Sequence, residues 1–577
     1  MLKKYPHLLI TLVSAFLLIP FAGMVHLFDW DEINFAEAAR EMIVTGNYGR
    51  VNINFEPFWE KPPLFFWMQV ASMKLFGINE FASRLPNAIC GILTLNALYY
   101  YGKRLVNDNI AWLWVILYMG SFTPHFYFRS GIIDPFFNLF IFLSVMQLFY
   151  GSLEEFSLKH YFFGGFFLGL ALLTKGPVAA IIVGLCVFVY MAVNRFKIYF
   201  TFGQIAILLL TSISIPLLWF LPDWISNGFW FTGEFLKYQL DLFLHPVASH
   251  GQPWYYHALV LIAACFPATI LAIPNLFSER NYNDSVVNED VFLVFQTWMR
   301  ILFWVVLVLF SLVTTKIVHY SSMCYIPVTF LGALYIEQTG GKIKAFQKIL
   351  IGLFILVYTV IFSALPLIGG MASLKTELLP QIHDKFVVEN IQVSTDWGGW
   401  EWVGGILFAI TAVVCLIFWY QKSALNGVKF FLLCNIAVFS FVSIAMVPKV
   451  ENHVQGSIIN FYERQEGRDI YMETVGFKSY AHYFYPKTQP LKPEDGLVKV
   501  TRKFCLKNHI DTKGQLTEYQ RYHINALKKI WLLKGKTDKP VYLIYKNTNT
   551  EGMDTNRNFK LLMKDGGYRV YKKLQPR

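Results

Sequence analysis

The chain has 577 residues, 55% of them hydrophobic and only 15% charged, with mean hydropathy +0.43 and formal net charge +12. Soluble domains carry about 25% charged residues, so a string of them is excluded and most of the chain is expected to meet lipid. Seven cysteines, none in a CxxC pair and all but Cys505 inside apolar runs, read as small buried hydrophobes and argue against a disulfide framework.

In chain order, an apolar run at 8–28 follows Lys4 and opens like a secretion signal. It is too long for one and lacks a small-x-small cleavage site, so it reads as an uncleaved first helix. A helix needs roughly 20 residues to cross the hydrocarbon layer, and the sequence predicts about thirteen such spans. They fall at 8–28, 84–101, 111–126, 132–150, 161–173, 178–193, 203–221, 255–277, 301–313, 320–336, 349–369, 403–420 and 430–447. Basic residues occupy alternate loops (Lys103/Arg104, Arg195/Lys197, Lys342/Lys344/Lys348, Lys429), which sets the N-terminus inside and the C-terminus outside. The expected fold class is an α-helical polytopic membrane protein, residues 1–447, followed by a soluble extracytoplasmic α/β domain, residues 448–577.

The first outer loop, 29–83, is long. It carries a helix-prone stretch from Glu32 to Thr45 that Gly46 can end, with Asp31 as a natural N-cap. A second stretch opens at Pro62-Pro63 and runs from Leu64 to Gly77, too short to span and suited to the interface. After residue 447 the texture turns soluble. Strands are expected at 469–475, 541–545 and 568–571, and this segment holds 25 basic against 13 acidic residues, which accounts for the net charge.

Under that topology the polar residues near spans gather at the outer face: Asp29, Asp31, Glu32, Glu60, Lys61, Arg129, Asp134, Lys175, His250, Lys316, His319 and Tyr320 among them. Charge at membrane depth is costly and usually faces a cavity or another charge. One such residue alone reads as an interfacial charge reaching to water; the collection predicts an outward-facing polar hollow. Lys61 and Lys316 are candidate phosphate contacts, and Lys175, at an outer turn, can reach back into the hollow. Arg129 and Asp134 read equally well as an interfacial salt bridge or as functional groups. Glu60 and the loop His250 are of the types that bind a metal ion.

Asp31-Glu32 with Ala36-Glu37-Ala38-Ala39-Arg40-Glu41-Met42, followed by Phe58-Trp59-Glu60-Lys61-Pro62-Pro63-Leu64, resembles the first outer loop of bacterial aminoarabinose transferases and protein mannosyltransferase-like enzymes, glycosyltransferases of the GT-C class. The likeness extends through residues 129–134, 174–177, 250–256 and 316–327. It implies transfer of a sugar from a polyprenyl-phosphate (undecaprenyl phosphate) carrier to a lipid, glycan or protein acceptor at the outer face of the cytoplasmic membrane, as in lipid A modification or protein glycosylation. By the same resemblance Asp31, Asp134 and Glu32 would be catalytic. Lys61, Arg129, Lys175 and Lys316 would bind the donor phosphate, and Tyr320 and His319 the substrate. Glu60 and His250 would hold a divalent metal ion, and no organic cofactor is expected. Asn34 and Gly251-Gln252 stand where the aminoarabinose enzymes carry Arg, which leaves sugar and acceptor open. No nucleic-acid motif is present. The alternative is a transporter or flippase of a lipid-linked glycan; it would place binding residues near the midplane on paired, inverted halves, whereas these candidates lie at outer helix ends.

Overall fold

The computed structural model describes residues 4–154, 157–197, 200–244, 251–278, 288–421, 423–511, 516–550 and 552–574. The protein is a bundle of apolar helices carrying a small C-terminal sheet. Among the described residues, five helices are long and apolar enough to cross a membrane: Asp134–Leu153, Phe202–Asn227, Glu289–Leu312, Ala345–Gly370 and the continuous run Ala424–Glu463. Shorter apolar helices, such as Pro6–Leu18, Val178–Val193 and Val403–Ile417, stand beside them.

Helix ends differ from the expected spans for local reasons. The span expected at 84–101 is Glu80–Leu105, because the Asn79 side chain accepts a hydrogen bond from the Ala82 amide and starts the helix early. The short span expected at 301–313 lengthens to Glu289–Leu312; Asn288 caps it, and Glu289 and Asp290 suit the positive end of a helix. Two spans are interrupted. That at 111–126 divides into Asp108–Met119 and Phe122–Tyr127, and that at 255–277 into Tyr256–Ala264 and Ala268–Phe277. The two breaks meet: the Phe122 amide donates to the Phe266 carbonyl at 2.9 Å, and the Asn435 side chain donates to the Gly120 carbonyl at 3.2 Å. Backbone groups freed inside the bundle are thus paired, as lipid demands.

The first outer loop folds as two helices, Asp31–Thr45 and Leu64–Phe76. Gly46 ends the former in the left-handed region, φ 68°, where a side chain would be strained. Asp31 is not the N-cap that the sequence suggests: Trp30 holds that position and Asp31 is the first helical residue, its carboxylate making no capping bond. Phe65 and Phe66 of the second helix pack on Phe35 of the first, with ring centroids 6.1 and 5.7 Å apart.

Beyond the expected boundary at 447 the helical run continues to Glu463 before the sheet begins. The sheet has four strands in the order Tyr471–Val475, Val541–Lys546, Tyr568–Lys573, Phe559–Asp565; the first pair is parallel and the others antiparallel. Ile544 and Val570 on one face join the same apolar core as the membrane helices. Arg569 ties the sheet to Glu389 at 2.6 Å. Helix Glu518–Lys534 reaches the first outer loop, where Lys528 pairs with Glu56 and the Arg521 guanidinium lies 4.3 Å over the Trp59 ring.

Candidate functional site

Residues from six segments meet at the rim of the bundle. Asp31 comes from the start of the first outer-loop helix and Asp134 from the first turn of Asp134–Leu153. Lys175 ends helix Leu158–Lys175, and His319 and Tyr320 lie on the 3-10 turn Val318–Cys324. His319 Nε2 stands 3.4 Å from Asp31 Oδ2 and 3.8 Å from Asp134 Oδ2, so one imidazole bridges two carboxylates that are distant in sequence. Lys175 Nζ donates to Asp134 Oδ1 at 2.5 Å and lies 4.6 Å over the Tyr320 ring. The two carboxylates are not equivalent. The Asp134 side chain is 3% exposed and that of Asp31 29%, so Asp31 meets water while Asp134 is enclosed.

Glu60 and Lys61 complete the rim. The Tyr238 hydroxyl donates to Glu60 Oε2 at 2.9 Å, and the Gln239 amide donates to the Glu60 carbonyl at 3.1 Å. Lys61 Nζ lies 5.7 Å from the Tyr238 ring centroid. Loss of water around Lys61 pulls its ammonium below the ordinary lysine range and Lys175 adds to this, while Glu60, Asp31 and Asp134 oppose it. The field at Lys61 is therefore made by the same acidic residues and lysine that form the cluster. Such an arrangement, lysines and carboxylates gathered around one imidazole with Asp31 open to water, can hold an anionic group and accept a proton beside it.

Two expected site residues face elsewhere. Glu32 is a structural anchor: its carboxylate accepts from Arg84 Nε at 3.0 Å, Arg84 Nη2 at 2.8 Å, the Phe28 amide at 2.8 Å and the Gly131 amide. Four donors fill its lone pairs and hold it well inside the ionised range despite burial, so it has no capacity left for substrate. Arg129 is not salt-bridged to Asp134. It donates to Ser443, Ser440 and the Leu17 carbonyl, tying the turn that carries it to helices Pro6–Leu18 and Ala424–Ala445. Lys316 is buried and spends one donor on the Val313 carbonyl at 2.6 Å. His250 lies outside the described residues. Its neighbour Gly251 forms a bridge with Thr315, which puts that end of the loop beside the segment carrying Lys316 and His319.

Sequence reasoning missed Tyr238, which orients Glu60, and the buried network in which Asn138 donates to Tyr127 and Ser322 one turn below Asp134. In a chain with 31 tyrosines a single one gives no signal. Asn138 did carry one: it is an amide four residues after Asp134, on the same helical face, inside an otherwise apolar span.

Residues 60–220 match the family model of dolichyl-phosphate-mannose-protein mannosyltransferases. Among curated proteins, an undecaprenyl phosphate-alpha-4-amino-4-deoxy-L-arabinose arabinosyl transferase of Edwardsiella ictaluri is 26% identical over 64% of this chain and 65% of its own length. Proteins of the same name from Proteus mirabilis and Photorhabdus laumondii are 28% identical over 54% of this chain and 56% of theirs, and 26% identical over 80% of each. The chain thus spans somewhat less than two thirds of the first two relatives. Among solved structures, ArnT from Cupriavidus metallidurans bound to undecaprenyl phosphate superposes with TM-score 0.70 at 16% identity, covering 98% of both chains. These findings agree with the resemblance read from the sequence: the chain has the fold of that ArnT structure and is similar in sequence to aminoarabinose transferases.

Proposed function

We propose that the protein is a membrane glycosyltransferase that moves a sugar from a polyprenyl-phosphate donor to a lipid, glycan or protein acceptor. The reaction would take place at the outer face of the cytoplasmic membrane, with the N-terminus inside and the C-terminal domain outside. The observation that carries this reading is the shared imidazole: His319 lies between Asp31 and Asp134, with Lys175 on Asp134 and Lys61 in the same field. Undecaprenyl-phosphate donors in the relatives' names fit a hollow of this charge.

In this scheme Asp31, the water-facing carboxylate, takes the proton from the acceptor nucleophile or orients it. The nucleophile's electron pair forms the new bond to the anomeric carbon as the carbon–phosphate-oxygen bond breaks, and the polyprenyl phosphate leaves with the electron pair of the broken bond. Charge grows on the departing phosphate, so Lys61 and Lys175 stabilise the transition state more than the ground state, the more so where water is thin. Asp134 acts through Lys175: the enclosed carboxylate fixes the ammonium, whose remaining donors face the leaving group. His319 holds the two carboxylates at a fixed separation, and Tyr320 covers the lysine with its ring. Glu60, oriented by Tyr238, keeps one carboxylate oxygen for a cation; with His250 it would hold a divalent ion, which would add positive charge beside the phosphate.

The test is direct. Purified wild-type protein supplied with polyprenyl-phosphate sugars and a cell-envelope extract as the source of acceptor should release free polyprenyl phosphate, and cells lacking the protein should lose one glycosylated species from the outer-face lipids or glycoproteins analysed by mass spectrometry. Unaltered outer-face glycans together with no release of polyprenyl phosphate would overturn the assignment and favour transport.

A further inference from the structure

Below the first outer loop a second polar cluster stands apart from the proposed catalytic hollow. His26 follows the first helix, Glu80 lies in the first turn of Glu80–Leu105, and Glu463 ends the helical run that leads into the C-terminal domain. One ligand atom from each of these three residues lies within 4.8 Å of the other two. Glu451, 4% exposed, sits behind the imidazole with its two oxygens 3.1 and 3.2 Å from His26 Nδ1. That contact requires a proton on Nδ1, which turns Nε2 outward toward Glu463 Oε1 at 3.8 Å.

An Nε2 lone pair and two carboxylates, all acceptors, therefore converge on one point. Among the described residues the ion pairs of this cluster involve only the imidazole as the positive partner; neither Glu80 nor Glu463 is paired with a lysine or arginine. Three carboxylates against one imidazole leave a net negative site even when the ring is protonated, and a divalent cation removes most of that charge. A buried carboxylate on the far ring nitrogen is also the usual support of a metal-binding histidine, because it fixes the tautomer and raises ligand basicity.

We propose that His26 Nε2, Glu80 and Glu463 form a binding site for a zinc-class divalent ion, with Glu451 positioning the imidazole. Mixed imidazole and carboxylate donors select a transition-metal ion over calcium or magnesium. Metal–ligand bonds of about 2.0–2.2 Å put tetrahedral ligands about 3.4 Å apart, so the present spacing closes with small movements of Glu80 and Glu463, both at least partly exposed to water. Ligands from residues 26, 80 and 463 would staple the C-terminal domain to the start of the membrane bundle. Arg84, which donates to the His26 carbonyl at 2.9 Å as well as to Glu32, would link that staple to the helix carrying Asp31.

The experiment uses the full chain in detergent, stripped with chelator, reloaded with zinc, desalted and assayed by elemental mass spectrometry. A Glu60→Gln background disables the other candidate metal site by removing the carboxylate that would act there with His250. In that background one zinc per chain is expected, falling to near zero when His26→Gln or Glu80→Gln is added, and Glu451→Gln should weaken affinity about 10- to 100-fold. Zinc-edge X-ray absorption of the Glu60→Gln protein should show a single nitrogen ligand among oxygens. Glu80→Gln, at a water-reached helix start, guards against misfolding, and each variant is compared at matched elution volume. Zinc retained at full stoichiometry in correctly folded His26→Gln and Glu80→Gln proteins, or no zinc in the Glu60→Gln protein, would overturn the proposal. Because Glu60 is absent throughout, neither result bears on the transferase assignment.

Discussion

Asp31 and Glu32 are neighbours in sequence and opposites in use. Glu32 faces inward, where Arg84 and two backbone amides fill its carboxylate, and a few residues on, Glu37 and Arg40 pair through two bonds of 2.6 and 2.7 Å with both side chains fully buried. Asp31 faces the hollow, 3.4 Å from His319, and keeps its remaining acceptor capacity. The anchor beneath the outer loop pairs its charges with one another inside the protein; the rim above leaves them partly unspent. Charge that is satisfied holds a fold, and charge with spare hydrogen-bonding capacity performs chemistry.

That contrast can be broken by substitution, and the largest effect should fall on the rim. Asp31→Asn should lower sugar transfer at least 10²- to 10⁴-fold, the usual contribution of a positioned general base, with the melting temperature in detergent unchanged. In the anchor the order reverses. Arg84→Ala leaves Glu32 buried without its cation, which typically costs about 3–5 kcal/mol, so unfolding or loss of membrane-inserted protein is expected before any specific catalytic defect, read by thermal unfolding and yield.

A third variant probes the contact between the rim and the C-terminal domain. Burial pushes the Glu473 carboxyl up to about 7, helped by Glu56 and opposed by Lys529 and Lys528. A carboxyl raised in the folded state favours folding while it stays protonated, so its contribution is complete below about pH 4.5 and is lost as the pH rises through about 7. Glu473→Gln should flatten the fall in thermal midpoint across that window and stabilise the protein at pH 8 by at most about 3 kcal/mol. The smallest effect belongs to Lys528→Ala. Its Glu56 partner is 53% exposed, and such pairs contribute about 0–1 kcal/mol, so stability should hardly move.

The membrane portion was legible because apolar runs of span length have one explanation in lipid, and the rim because Asp31, Glu60, Lys61 and Asp134 share one face once the basic loops set the topology. Partners were not legible. A charge in sequence does not say what it bonds to: Glu32 and Arg129 read as site residues, yet Glu32 is held by Arg84 and Arg129 donates to Ser443 and the Leu17 carbonyl. Averaged hydropathy is also blind to interruptions: the breaks after Met119 and Ala264 fall inside runs of span length, and their local signals are Gly120-Ser121 with Pro124 in one and Pro267 in the other. Strand Phe559–Asp565 escaped notice because its pairing slips between Leu561 and Met563, so three apolar residues run together where alternation is the signal.

In the proposed division of labour Asp31 serves the acceptor, while Asp134 serves the donor through Lys175. Donor binding and transfer measured side by side on Asp31→Asn and Asp134→Asn test it most directly. Asp31→Asn should bind polyprenyl-phosphate sugar like wild type yet transfer it at least about 10²-fold more slowly, and Asp134→Asn should lose donor affinity as well. Wild-type transfer by folded Asp31→Asn protein would contradict the account.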